Sequence, residues 1–208
     1  TMKMKCASVA SMLACVLMVG CAGKPTLYYT LADSVVPTNA PAVAAIETPV
    51  YFEMAPLALP ERLARPQMVV RKPGGDSTQV FVLEQHRWAS SFEVELRDAL
   101  ASGLTAQLGA IDVTKGGRLA STPVYRIAVQ VRQFDAIEGA RIDGSFSWTI
   151  RRTDETRTTA CQLSINQPLG AGMDGVAQGA RRLTSDLATA IARSMMSPTA
   201  APAAGCGP

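Results

Sequence analysis

Five cysteines, one histidine and one Gly-Asp-Ser triplet are the residues of this 208-residue chain whose types and spacing bear on covalent or metal chemistry. A lone His86 removes every reaction centre that needs two imidazoles. Cys161 and Cys206 stand 45 residues apart with no ligand spacing around either, so no zinc-type site is expected. Gly75-Asp76-Ser77 has the start of a GDS-type esterase block. Such an enzyme needs a histidine late in the chain, whereas His86 follows Ser77 by only nine residues. The triplet reads instead as the Gly-rich turn of a hairpin. Aspartates and glutamates are numerous, but nothing in the sequence pairs them for acid/base work. The expectation is a protein with no catalytic residues, no metal and no cofactor. Cys21 is the thiol whose surroundings single it out from the others.

Cys21 closes a segment that begins with Lys3 and Lys5 and continues through the 14 uncharged, mostly apolar residues from Cys6 to Val19. A bilayer span needs about 20 such residues, so the segment fits a cleaved export signal better than a membrane helix. Met18-Val19-Gly20-Cys21 resembles the lipobox of a bacterial lipoprotein, with Met in place of the usual Leu. The resemblance implies that residues 1–20 are removed and that Cys21 becomes an acylated N-terminus. Met12-Leu13-Ala14-Cys15 competes for the role, but cleavage there would leave an apolar heptad on the mature end. Three acyl chains hold such a protein on its membrane permanently, where one would bind only marginally. The resemblance also carries a sorting rule, by which Asp after the cysteine favours retention in the inner membrane; with Ala22 in that place it implies the periplasmic face of the outer membrane.

Removing residues 1–20 leaves 188 residues, enough for one domain with a substantial core. Two of the 20 Lys and Arg lie in the leader, so the mature part carries 18 basic against 17 acidic residues. It has no basic stripe and no run of like charge, which excludes nucleic acid as an expected partner. Cys161 and Cys206 are the thiols left in an oxidising compartment. They bridge, or Cys161 is a buried small hydrophobe on a strand, which its alternation with Leu163 and Ile165 favours.

The elements that must position these residues follow from periodicity. Leu27-Tyr28-Tyr29-Thr30-Leu31 reads as a short first strand, residues 32–42 as a linker and 198–208 as a Pro/Ala tail, leaving a packed domain within residues 21–197. Val43–Glu53 reads as a strand, and Pro56 and Pro60 mark an exposed crossing loop. Gln67–Arg71 and Gln79–Glu84 flank a turn and form a hairpin. Ser90 and Glu93 have capping-box spacing, and Phe92, Leu96, Leu100, Leu104 and Leu108 then recur every four residues as far as Gly109. From Val124 the period becomes two, and turns at Glu138-Gly139 and Asp154-Glu155 divide a three-strand meander. Asp174–Met196 is a second helix. Gly175 and Gly179 have the spacing of a helix-contact motif and read as places where a neighbour packs closely. The expected fold is α+β, a single mixed or antiparallel sheet with two amphipathic helices packed on one face.

Arg65-Pro66-Gln67 and His86-Arg87-Trp88-Ala89 are the remaining unusual cluster. Arg65, Gln67, Arg87 and Trp88 are candidate partner contacts, since Arg and Trp supply interface hot spots. The other reading of Trp88 is a core plug beside Phe92. In order along the chain, the lipobox at Cys21, Tyr28-Tyr29-Thr30-Leu31, Leu63-Ala64-Arg65-Pro66-Gln67-Met68-Val69 with Arg71, and Arg87-Trp88-Ala89 before a long helix resemble the PqiC/YmbA-type lipoproteins. These are auxiliary components of MCE-type (mammalian cell entry) transporters. Leu63-Ala64 and Ser90-Ser91 depart from that pattern, where an aromatic with an acid and an acidic-proline pair are usual. The resemblance implies a non-enzymatic protein at the outer membrane that docks a tunnel of a PqiB-like MCE-domain protein of the inner membrane, supports lipid movement and envelope integrity, and assembles as a homo-oligomer. An envelope scaffold lipoprotein and a periplasmic hydrolase are the alternatives.

Overall fold

A computed structural model of the protein describes residues 24–32, 49–74, 78–116 and 122–196. The leader, Cys21, most of the linker, the Gly75-Asp76-Ser77 triplet, the tail and Cys206 lie outside the described residues. Among the described residues eight strands and two helices follow in the order β1 (Leu27–Tyr29), β2 (Tyr51–Met54), a 3-10 turn (Glu61–Leu63), β3 (Gln67–Arg71), β4 (Phe81–Trp88), α1 (Phe92–Leu108), β5 (Ile111–Asp112), β6 (Val124–Ile137), β7 (Arg141–Arg152), β8 (Thr158–Pro168) and α2 (Gly172–Met196). The sheet is mixed and open, and the fold is the α+β class expected from periodicity.

β6, β7 and β8 form the meander, with antiparallel register from Tyr125↔Arg152 to Ile137↔Arg141 and from Arg141↔Pro168 to Arg151↔Thr158. The inward side chains of β6 and β7, among them Ile127, Ile142, Phe146 and Trp148, are buried, and those of β8 such as Leu163 and Ile165 are half-buried. A bulge between Val131 and Gln133 shifts the alternation by one residue, so burial passes from Val129 and Val131 to Phe134 and Ala136. The other edge of β6 is shared. β2 runs parallel to its first half (Tyr51↔Val124 to Met54↔Ile127), and β3 joins its last residues (Val70↔Ala136, Arg71↔Ile137). β4 then pairs antiparallel with β3, and β1 adds in parallel outside β4.

Three local expectations need correction. The segment around Pro56 and Pro60, exposed at Pro56 and Ala58, is not a free crossing loop: Ala55 N and Ala58 N donate to Ile127 O and Val129 O at 2.8 and 3.1 Å, and Val131 N donates to Ala58 O at 2.9 Å. Both prolines sit where no donor is needed, so the chain keeps following β6. Of the strand read at Val43–Glu53, residues 43–48 lie outside the described residues, and the described part is β2 from Tyr51 to Met54, with Pro49 and Val50 outside it. The helix cap is Ser91 rather than Ser90. Ser91 is extended (φ −63°, ψ 145°) and its hydroxyl accepts from Val94 N, while Gly109 closes α1 with a left-handed φ of 61°.

The two helices cover the meander and meet each other closely. A Cβ on Gly103 of α1 would stand 2.8 Å from Ala188 Cβ of α2, so glycine there sets the interhelical distance. On α2, a Cβ at Gly175 would overlap the Gly170 carbonyl and one at Gly179 would overlap Leu169, the close packing their spacing suggested. Cys161 is 7% exposed, as a strand residue facing the core should be. Its sulfur is not a free thiol, however, but is disulfide-bonded, with its partner outside the described residues.

Candidate functional site

The sequence candidates converge on the lobe made by β1, β4 and β3. Register sets Tyr28, Arg87 and Gln67 side by side on the outer face and Tyr29 and Trp88 on the inner one. Between Arg87 and Leu83 the pairing jumps, and the residues looped out begin with Glu84. Its carboxylate accepts from Arg87 Nη2 at 2.7 Å and from Gln67 Nε2 at 3.3 Å, and its carbonyl accepts from Arg87 Nε at 2.9 Å. Gln67 and Arg87 are therefore brought together, with most of their donors turned toward one acid.

Trp88 takes the core position. It is 4% exposed, its backbone N–H donates to Pro66 O at 2.7 Å, and its ring lies 5.6 Å from Phe92, which in turn stands 4.7 Å from Phe134. Arg65 stands apart: its Nε is buried and meets no acceptor. Of the four candidates, two are joined through Glu84, one is core, and one retains an unused donor.

Two further acids, both in the first turn of α1, were not among the candidates. Glu95, 9% exposed, accepts from Leu31 N at 3.0 Å, Thr30 Oγ1 at 2.9 Å and Ser90 Oγ at 2.9 Å. Glu93 accepts from Leu57 N at 3.1 Å and Arg97 at 3.3 Å. Carboxylates at a helix N-terminus are favoured by its dipole, and these two also fasten distant segments to α1. A polar residue beside the apolar Phe92-Leu96 stripe is the one trace of this in the sequence.

Tyr29 completes the attachment of β1. Its carbonyl accepts from Ala89 N at 2.7 Å, and its hydroxyl lies 3.0 Å from His86 Nδ1, the two rings stacked at 5.9 Å. Burial, then the charge of Asp174 and a hydrogen bond to it, hold the phenol above its ordinary pKa. Arg181 of α2 reaches Ala32 O at 3.4 Å. Residues 29–32 are thus gripped by β4, α1 and α2 together.

On the meander face away from the helices lies a shallow hollow of about 910 Å³, lined by small, uncharged residues such as Ala58, Ala128, Gln130, Thr149 and Gln162. Among the described residues no group of three His, Cys, Asp or Glu is placed to hold a metal ion, and no helix is long and apolar enough to cross a membrane.

The family of ABC-type transport auxiliary lipoprotein components matches residues 29–192, nearly all of the packed domain. The crystal structure of an uncharacterized protein, 16% identical, superposes with a TM-score of 0.62 over 83% of this chain and 99% of that one. That of a DUF330 protein from Xanthomonas campestris, 12% identical, gives a TM-score of 0.58 over 83% of this chain and 96% of the other. At these identities the likeness is one of fold. No curated protein is similar enough in sequence to match.

Proposed function

The chain belongs to the PqiC/YmbA-type family of ABC-type transport auxiliary lipoproteins, and from that membership we propose that it is the outer-membrane-anchored accessory of an MCE-type lipid transport system. The family match over residues 29–192 carries this reading. The family is one of auxiliary transport components and not a known enzyme family, which supports the transport reading over the hydrolase alternative. In the proposed arrangement Cys21 holds the protein to the periplasmic leaflet of the outer membrane. The folded domain receives the end of a tunnel formed by a PqiB-like MCE-domain protein of the inner membrane. Several copies encircle that end, since a closed ring fits a tunnel mouth.

Among the candidate contacts, Gln67 and Arg87 are engaged by Glu84 and Trp88 is interior, which leaves half-buried Arg65 as the proposed contact. Co-purification from native membranes tests the reading: the tagged lipoprotein should bring down its cognate MCE-domain protein, and Arg65→Ala should weaken that recovery. Failure to recover the MCE-domain protein, together with an intact envelope in the deletion strain, would remove the transport role. Native mass spectrometry of the detergent-purified protein reads the copy number.

A further inference from the structure

Four of the six large apolar side chains exposed among the described residues belong to one lobe: Leu27 (48%) and Tyr28 (66%) on β1, Val80 (38%) just before β4 and Val82 (39%) within it. Tyr28 shares the outer face with Arg87 and Gln67, and Val82 lies on that same face opposite Val69 of β3. β1 is the outermost strand of this lobe, and the exposed Lys24 precedes it.

We propose that this outer face of β1, β4 and β3 is seated on the surface of the bilayer that carries the acylated Cys21, with the Tyr28 ring at headgroup depth. The inference rests on the anchoring part of the functional reading and is independent of the transport part. Chain length argues for the membrane as occupant. Six residues from Cys21 to Leu27 reach about 20 Å at full extension, so this lobe is the part of the domain held nearest to lipid. The hold is firm, because Glu95, Ala89 and Arg181 fix residues 29–32 to the body of the fold. The chemistry agrees. A phenol with an apolar ring and a polar tip suits the membrane interface, aliphatic Val80 and Val82 gain from leaving water, and the exposed Lys24 suits a layer of phosphates, while Arg87 is balanced by its ion pair with Glu84.

Fluorescence in vesicles tests it. Trp88 and Trp148 are both buried, so an indole introduced by Tyr28→Trp dominates any lipid-dependent change. The full chain, its acylation verified by intact mass, is reconstituted into phosphatidylethanolamine/phosphatidylglycerol vesicles with and without brominated acyl chains. The expected result is a shift of the position-28 emission to shorter wavelength and its quenching by brominated lipid, with no quenching at an exposed meander site altered by Thr149→Trp. An indole at position 28 that stays unquenched and open to iodide on the vesicle overturns the proposal. So does protection that appears only when the MCE-domain protein is added, since the face is then a protein interface. A chain that carries no acyl groups removes the anchor and this inference with it. Quenching at position 28 without recovery of an MCE-domain partner leaves the membrane seat standing while the transport role falls.

Discussion

Glu95 is the side chain on which the attachment of β1 turns. Its carboxylate is the acceptor for a buried backbone N–H and for two hydroxyls, and no other group takes its place at Leu31 N. Glu95→Ala strands that amide and should cost about 1–3 kcal/mol, the penalty of an unsatisfied buried donor. Glu95→Gln keeps one acceptor oxygen and should cost less. Denaturant midpoints measure both, and hydrogen exchange should accelerate at residues 29–32 before it does in the meander. Tyr29 adds a pH dependence to the same attachment. Its pKa is raised, so on alkalinisation the unfolded chain loses the phenolic proton first. The stabilisation is therefore fully present below about pH 10 and is lost as pH rises through the folded-state value. Tyr29→Phe should flatten that alkaline fall, as read by thermal melts across pH 9–12. Neither group was legible in the sequence, because their partners are tertiary: Glu95 bonds residues 64 and 65 positions away, and Tyr29 meets His86 across 57. Trp88 was legible as one of two outcomes. Burial prevails because Tyr29 and Trp88 share the inner face of the lobe, a register that no local pattern encodes.

At the scale of elements, strong periodicity predicted well. The four-residue recurrence from Phe92 to Leu108 is α1, and the alternation from Val124 onward is the meander with both of its turns. Elements without a long period escaped. β5 has two residues, the 55–58 extension along β6 is broken by proline, and β4 runs beyond Glu84 to Trp88 because its bulge interrupts the alternation that would have revealed it. Parallel pairing of β2 and β3 with β6 likewise leaves no local mark. The paired glycines of α2 separate two kinds of close packing. A methyl at Gly175 meets the Gly170 backbone, which cannot yield without moving the loop, whereas one at Gly179 meets the tip of Leu169, which can rotate. Gly175→Ala should therefore be the more destabilising, at about 1–3 kcal/mol for overpacking, and Gly179→Ala the milder. Equal losses in urea denaturation would show that the loop after β8 is as compliant as a leucine side chain.

Across the whole molecule, the lobe nearest the anchor and the helix-covered meander are joined by little backbone pairing. β3 meets β6 at two register pairs, so side-chain packing must carry the junction. The Trp88, Phe92 and Phe134 rings span it, from β4 through the first residue of α1 to β6. Phe92→Ala should then cost about 3–5 kcal/mol, as expected for truncating a buried aromatic, and Phe92→Leu less. Because Phe92 is 2% exposed and central to the junction, its loss should lower the midpoint of the entire domain rather than free the lobe alone. The proposed anchoring is chemically separate from this, since acylation of Cys21 would act on a residue that precedes every described element. Cys21→Ser should release the protein into the soluble periplasmic fraction and leave its melting midpoint where it was. Phe92→Ala should do the reverse, staying acylated and membrane-bound while melting earlier. Fractionation and thermal melts on the two variants thus test whether address and fold are independent. A Cys21→Ser protein that also melts earlier would mean that the membrane seat itself stabilises the domain, and the gap would vanish when both proteins are melted in detergent.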